Sequence, residues 1–126
     1  MVHRIVVGSY TSEIVTLAFD AEASTLDVTS SITVGHHPSW LTSHPNYPSL
    51  VWTGLEQHDG RIAALSFDGS GKGTVVSETS SAGHDPCSLL VVKDELLIGN
   101  VRPFLLSLLS YLECFLPSTL LERLAL

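Results

Sequence analysis

Four histidines fall in three short polar segments, Gly35-His36-His37-Pro38, Glu56-Gln57-His58-Asp59 and Gly83-His84-Asp85-Pro86, each beside a carboxylate or a second imidazole. Imidazole titrates near neutrality and a neighbouring carboxylate tunes it, so such a set can draw a proton from water and hand it to a leaving group. His36, His37, Glu56 and His84 are therefore the candidate catalytic residues. Arg61, His58, Asp59, Asp85 and Asn100 are the candidate substrate contacts, with Arg61 the one cation close to these segments.

The same residues also have plainer uses. Polar side chains ahead of Pro38 and Pro86 can bond the backbone of a tight loop, and Glu56 with Asp59 can form a solvated turn. Two adjacent histidines with a third far along the chain lack the close spacing of metal sites, so neither a metal nor a cofactor is expected. Cys87 opens an apolar run, where an inert buried thiol is the ordinary outcome, and Trp40 and Trp52 read as packing residues.

Loops that gather such groups need a scaffold to hold them, and the chain carries a repeat. Gly35-His36-His37-Pro38-Ser39 recurs as Gly83-His84-Asp85-Pro86-Cys87, and the run Ile14 to Asp20 recurs as Ile62 to Asp68, both at a spacing of 48 residues. Between these blocks, short runs rich in Val, Ile, Thr and aromatics are cut by Gly, Pro, Asn and Asp, with no helical period across the first hundred residues. The predicted strands are Ile5 to Gly8, Ile14 to Phe19 and Leu26 to Val34, then Trp40 to Ser43, Leu50 to Leu55, Ile62 to Phe67 and Thr74 to Thr79, then Ser88 to Val92 and Leu96 to Gly99. Four antiparallel strands in about 48 residues is the unit of a β-propeller blade; a β-sandwich uses similar strands but gives no reason for the echo. The expected fold is all-β, a partial β-propeller: strands B to D of one blade, a complete second blade, and strands A and B of a third. Closed rings need roughly four to eight blades, so these two blades' worth of strands do not close one alone.

Composition narrows the function further. With 126 residues, 44% hydrophobic and 15% charged, the chain has the make-up of a single folded domain. Six Lys and Arg against thirteen Asp and Glu give a net charge of −7, which repels phosphate backbones, so nucleic acid is not an expected partner. Two cysteines without a CxxC pair point to a reduced, cytoplasmic setting, and the N-terminal apolar run before Gly8 is too short for a secretory signal.

The excess negative charge lies within residues 1–100, while residues 101–126 form a Leu-rich tail. Its apolar stretch, Phe104 to Leu116, is followed by Pro117 and is too short to span a bilayer. Leu105, Leu108, Leu109, Leu112 and Leu116 share one helical face, which predicts a short C-terminal helix covering an exposed sheet edge. The alternative is a stretch from a shifted frame or retained intron that the fold never shaped. Open sheet edges or this apolar tail also make self-association an expected possibility.

The segments VVGSYTSEIVTLAFD, GHHPSWLTSHPNYPSLVWTGLEQHDGRIAALSFD and SAGHDPCSLLVVKDELLIGN together resemble the N-terminal part of the seven-bladed propeller lactonase family, over about residues 2–100. That family includes 6-phosphogluconolactonase-type proteins and carboxy-cis,cis-muconate cyclases. The resemblance implies hydrolysis of a sugar lactone, or cyclisation or opening of a muconate lactone, with a small-molecule lactone as partner. In a propeller, the D-to-A and B-to-C loops emerge on one face, so His36, His37, Glu56, His58, Asp59, His84, Asp85 and Asn100 are expected to crowd one rim beside Arg61.

Overall fold

The computed structural model describes residues 1–103 and 105–110. Alternating side chains place the strands: β1 (Val2–Val7), β2 (Glu13–Asp20) and β3 (Thr25–Thr33) form the first sheet in that order. Strands β4 (Pro38–Ser43), β5 (Leu50–Leu55), β6 (Arg61–Phe67) and β7 (Gly73–Ser80) form the second, again in chain order. Strands β8 (His84–Val92), β9 (Glu95–Arg102) and β10 (Leu105–Ser110) form the third. All neighbours are antiparallel, as short connections require. No helix among the described residues is long and apolar enough to cross a membrane.

The repeat is written into the irregularities as well as the strands. Register shifts fall between Thr16 and Leu17 and again between Ala64 and Leu65, and between Pro38 and Trp40 and again between Pro86 and Ser88. Each pair is separated by the same 48 residues, so a bulge and its local twist recur with the sequence that makes them.

Period-two alternation gives every sheet two faces, one toward the preceding sheet (its front) and one toward the next (its rear). On the rear of the second sheet, Leu50, Trp52, Ile62 and Ala64 pack against Leu89, Leu96 and Ile98 on the front of the third, and all seven are buried. Trp40 adds a hydrogen bond from its indole Nε1 to the Leu89 carbonyl at 3.0 Å. Gly54 faces the Pro86 carbonyl so closely that a Cβ there would stand 2.7 Å from it, which explains a glycine inside an otherwise buried central strand. On the first sheet, Ile14 and Thr16 are buried, and Thr16 Oγ1 donates to the Gly71 carbonyl of the second sheet at 2.8 Å. Ala63 and Leu65, on the opposite face of β6 from Ile62 and Ala64, are fully buried too.

One expectation is corrected. Over residues 105–110 the chain is a strand, not part of a helix: β10 pairs with β9 residue for residue from Leu105 opposite Asn100 to Ser110 opposite Glu95. A short Leu-rich run does not by itself distinguish helix from strand, and pairing satisfies a β9 edge that would otherwise present unmet backbone groups. The remainder of the expected helical tail, residues 111–126, lies outside the described residues. The third sheet thus has strands A, B and C, and β9 runs through Arg102 across the expected boundary at residue 100.

His44, in the β4–β5 turn, is buried, and its Nδ1 accepts the Asn46 backbone N–H at 3.0 Å, which only the uncharged ring can do. Burial lowers its pKa, with Asp94 pulling weakly upward. Between that lowered value and the ordinary 6.5 the unfolded chain binds more protons than the native one, so stability falls as the pH drops through this window. Denaturant midpoints at about pH 7.5 and about pH 5.5 should show this loss, and His44→Gln should reduce it. For the sheet seams, Leu65→Ala is expected to cost about 2–5 kcal/mol, whereas Leu26→Ala on the open front of the first sheet should stay within about 0.5 kcal/mol by the same denaturation.

Candidate functional site

Four loops meet on one rim: residues 8–12 and 34–37 flank the first sheet's end, and residues 56–60 and 81–83 lie at the second's. Backbone hydrogen bonds latch each D-to-A loop onto the B-to-C loop of the preceding sheet. His37 N–H donates to the Thr11 carbonyl at 3.0 Å, and 48 residues later Asp85 N–H donates to the Gln57 carbonyl at 2.9 Å. Both residues hold a left-handed backbone, φ 49° at His37 and φ 50° at Asp85, an unusual conformation for a side-chain-bearing residue. The second latch is reinforced where Ser81 N–H donates to the Gly60 carbonyl at 2.8 Å and Gly60 N–H to the Gly83 carbonyl at 3.2 Å. Gly60 is needed there, because a Cβ would collide with Ser81 and Gly83 and lie 2.9 Å from Pro86.

The first latch assembles one side-chain cluster. The rings of His36 and His37 stack with centroids 3.6 Å apart, and Tyr10 meets His37 edge-on at 5.2 Å. The Tyr10 hydroxyl donates to Glu56 at 3.5 Å, Ser39 Oγ donates to the same carboxylate oxygen, and the Glu56 N–H donates to the His37 carbonyl at 3.2 Å. The Glu56 carboxylate thus accepts from two hydroxyls in the loop that carries the stacked imidazole pair, an arrangement that places acceptors able to take a proton from water on this rim.

The second latch assembles another. His58 and His84 stack nearly parallel, 4.2 Å apart and 8° between planes. His84 Nδ1 lies against the His58 carbonyl, which can only accept, so Nδ1 is the donor there and Nε2 is the ring nitrogen not engaged by it. Asp85 binds Arg102 through Nη2 at 2.9 Å and Nε at 3.3 Å, with the guanidinium mostly exposed.

The remaining candidates are placed differently. Arg61 starts β6, but its Nε donates to Glu78 on β7 at 2.8 Å, a pairing that raises its pKa. Asp59 is exposed, and its carbonyl accepts from Gln57 Nε2 at 2.9 Å. Asn100 is buried, its Nδ2 donating to Ser107 Oγ at 2.9 Å and the Ser81 carbonyl at 3.3 Å, so it ties β10 to the loop behind the rim. Among the described residues no group of three or more His, Cys, Asp or Glu side chains could hold a metal ion.

Sequence reasoning missed Ser39 and Arg102. Ser39 was signalled by its place directly after the His-His-Pro loop. Arg102 becomes visible only once β9 is extended past Asn100, which sets it opposite His84 in the β8–β9 register.

The family model described as lactonase, seven-bladed β-propeller, matches residues 4–100. Among solved structures, the chain is similar to a proposed 6-phosphogluconolactonase from Bacteroides uniformis, with TM-score 0.74 and 24% identity over 82% of this chain and 32% of that one. It is also similar to a proposed 6-phosphogluconolactonase from Bacteroides fragilis, with TM-score 0.68 and 24% identity over 75% of this chain and 28% of that one. Saccharomyces cerevisiae Sqt1 shares the architecture at TM-score 0.57 and 10% identity, over 87% of this chain and 33% of that one. The chain spans about a third of the length of each. No curated protein sequence matches it.

The Gly60 latch has a direct consequence. Gly60→Ala should lower stability by about 1–3 kcal/mol through overpacking, and should shift the imidazole NMR resonances of His58 and His84 while leaving those of His36 and His37 in place.

Proposed function

The chain belongs to the seven-bladed β-propeller lactonase family, and we propose that its rim is part of a site that binds and hydrolyses a sugar lactone of the 6-phosphogluconolactonase type. The observation that carries this reading is that two latches of one design set two imidazole pairs, Glu56 and the Arg102–Asp85 pair on the same rim. The family, and neighbours described as 6-phosphogluconolactonases, supply the reaction class; cyclisation or opening of a muconate lactone is the alternative within that family.

In the proposed reaction, a base on the rim takes a proton from water as its oxygen attacks the lactone carbonyl carbon. The tetrahedral oxyanion then collapses, the ring C–O bond breaks, and the base returns its proton to the departing alkoxide, giving an open hydroxy acid. His37 beside Glu56 is one candidate for this base, with His36 stacked against it. His84, whose Nδ1 is committed to a carbonyl, offers Nε2 as the other. His58 and Asp59 flank the second cluster as substrate contacts, and Asp85 orients Arg102. The cation for an anionic substrate is Arg102 rather than Arg61, because Asp85 leaves the Arg102 guanidinium mostly exposed while Glu78 holds Arg61. We place the protein in the cytoplasm, a reading supported by its cysteine usage.

The test uses the 126-residue chain and an unreactive open-ring mimic, a phosphorylated aldonate. Titration is expected to move the imidazole resonances of His58 and His84, and Arg102→Ala to weaken the interaction about tenfold. Unmoved imidazole resonances at millimolar aldonate would remove the reading.

A further inference from the structure

The seam between the first and second sheets and the seam between the second and third share one backbone design, so their side chains compare place by place. Trp40 pairs with Gly54, and Ser88, one repeat on, pairs with Gly99. Val101 therefore stands in the place of Glu56, and Arg102 in that of Gln57. The sequence repeat likewise sets Cys87 in the place of Ser39. The latch itself needs neither the Glu56 carboxylate nor the Ser39 hydroxyl, because Asp85 N–H reaches the Gln57 carbonyl at a seam that carries Cys87 and Val101 instead. The cluster of Tyr10, Ser39 and Glu56 is thus an addition to the repeated frame, and both sheets that build it belong to this chain.

Its chemistry suits the hydroxyls of a polyol. Tyr10 and Ser39 both donate to Oε1 of Glu56, and among the described residues Oε2 accepts no hydrogen bond. Each carboxylate oxygen has two lone pairs, so Oε2 offers charge-assisted bonds to adjacent ligand hydroxyls. The Tyr10 hydroxyl donates at 3.5 Å, the long limit of such a bond, and is weakly held there. Its ring, 68% exposed beside His37, adds an apolar surface for the C–H side of a sugar chain. A ligand carboxylate brought to the same place meets like charge at Glu56.

We infer that Tyr10 and Glu56 are specificity-determining residues of the rim site: they grip the hydroxyls of a polyhydroxylated ligand, while Arg102 at the second seam takes its anionic end. The inference rests on the lactone reading proposed above and adds selection to it. A ligand that lacks hydroxyls, or carries a carboxylate in their place, is rejected at the first seam.

NMR of the 126-residue chain with a neutral aldonamide, which has the hydroxyls but neither phosphate nor carboxylate, tests this apart from Arg102. The Tyr10 ring and the His36 and His37 imidazoles are expected to move at tens of millimolar, and an unsaturated dicarboxylate is expected to leave them in place. Tyr10→Phe, which keeps the ring against His37, should weaken the aldonamide about threefold, and Glu56→Gln about tenfold. Glu56→Gln should also let the dicarboxylate move the His36 and His37 resonances, a gain that loss of structure does not produce. An aldonamide that moves none of the three residues, or a Glu56→Gln chain that treats both ligands as the wild type does, would overturn the proposal. A phosphorylated aldonate that still moves His58 and His84 would then leave the lactone reading standing, whereas a responding aldonamide with a silent phosphorylated aldonate would strike that reading alone.

Discussion

A β-sheet that is apolar on both faces has to be covered on both, and this constraint organises the molecule. The central sheet satisfies it: Trp52, Ile62 and Ala64 are sealed from one side while Ala63 and Leu65 are sealed from the other. Removing apolar area from water is favourable by about 25 cal/mol per Å², and here that gain comes from laying sheet on sheet rather than from a helix or a closed sandwich. The seams are tight enough that Gly54 has no room for a Cβ beneath the Pro86 carbonyl.

The rim follows from the same stacking. Because successive sheets are copies, their loops meet in the same way at each seam, and the latch made by His37 on Thr11 is made again by Asp85 on Gln57. A left-handed residue at that point costs conformational energy, which the fixed sheets on either side can sustain. Its effect is to set one imidazole pair beside Glu56 and another beside Asp85. Chemistry-bearing residues far apart in sequence become lateral neighbours without any fold element devoted to them.

Much of this was legible in the residues. The 48-residue echo located the strands of the first two sheets and the shared rim, because alternation and turn chemistry both changed where the echo said they should. The last strand was not legible. Leu105 to Leu109 fits a helical stripe, and only the presence of an unpaired β9 edge decides for a strand, with Ser107 turned inward to Asn100, Leu109 packed on the core and Leu106 and Leu108 exposed on the other face. The same misreading hid Arg102, since a strand ended at Gly99 leaves that cation in a tail, whereas a strand ended at Arg102 places it at Asp85. Arg61 was expected near the start of this strand as a substrate cation, but the carboxylate that holds it, Glu78, lies across a sheet register that spacing does not reveal.

The most direct measurement of the stacking account is native-state hydrogen exchange resolved by strand. If burial between sheets holds the molecule together, the amides of Leu50–Leu55 and Arg61–Phe67 should exchange last and only through global unfolding, with Val2–Val7 and Leu105–Ser110 opening earlier. Protection in the two central strands no greater than in Val2–Val7 would contradict it.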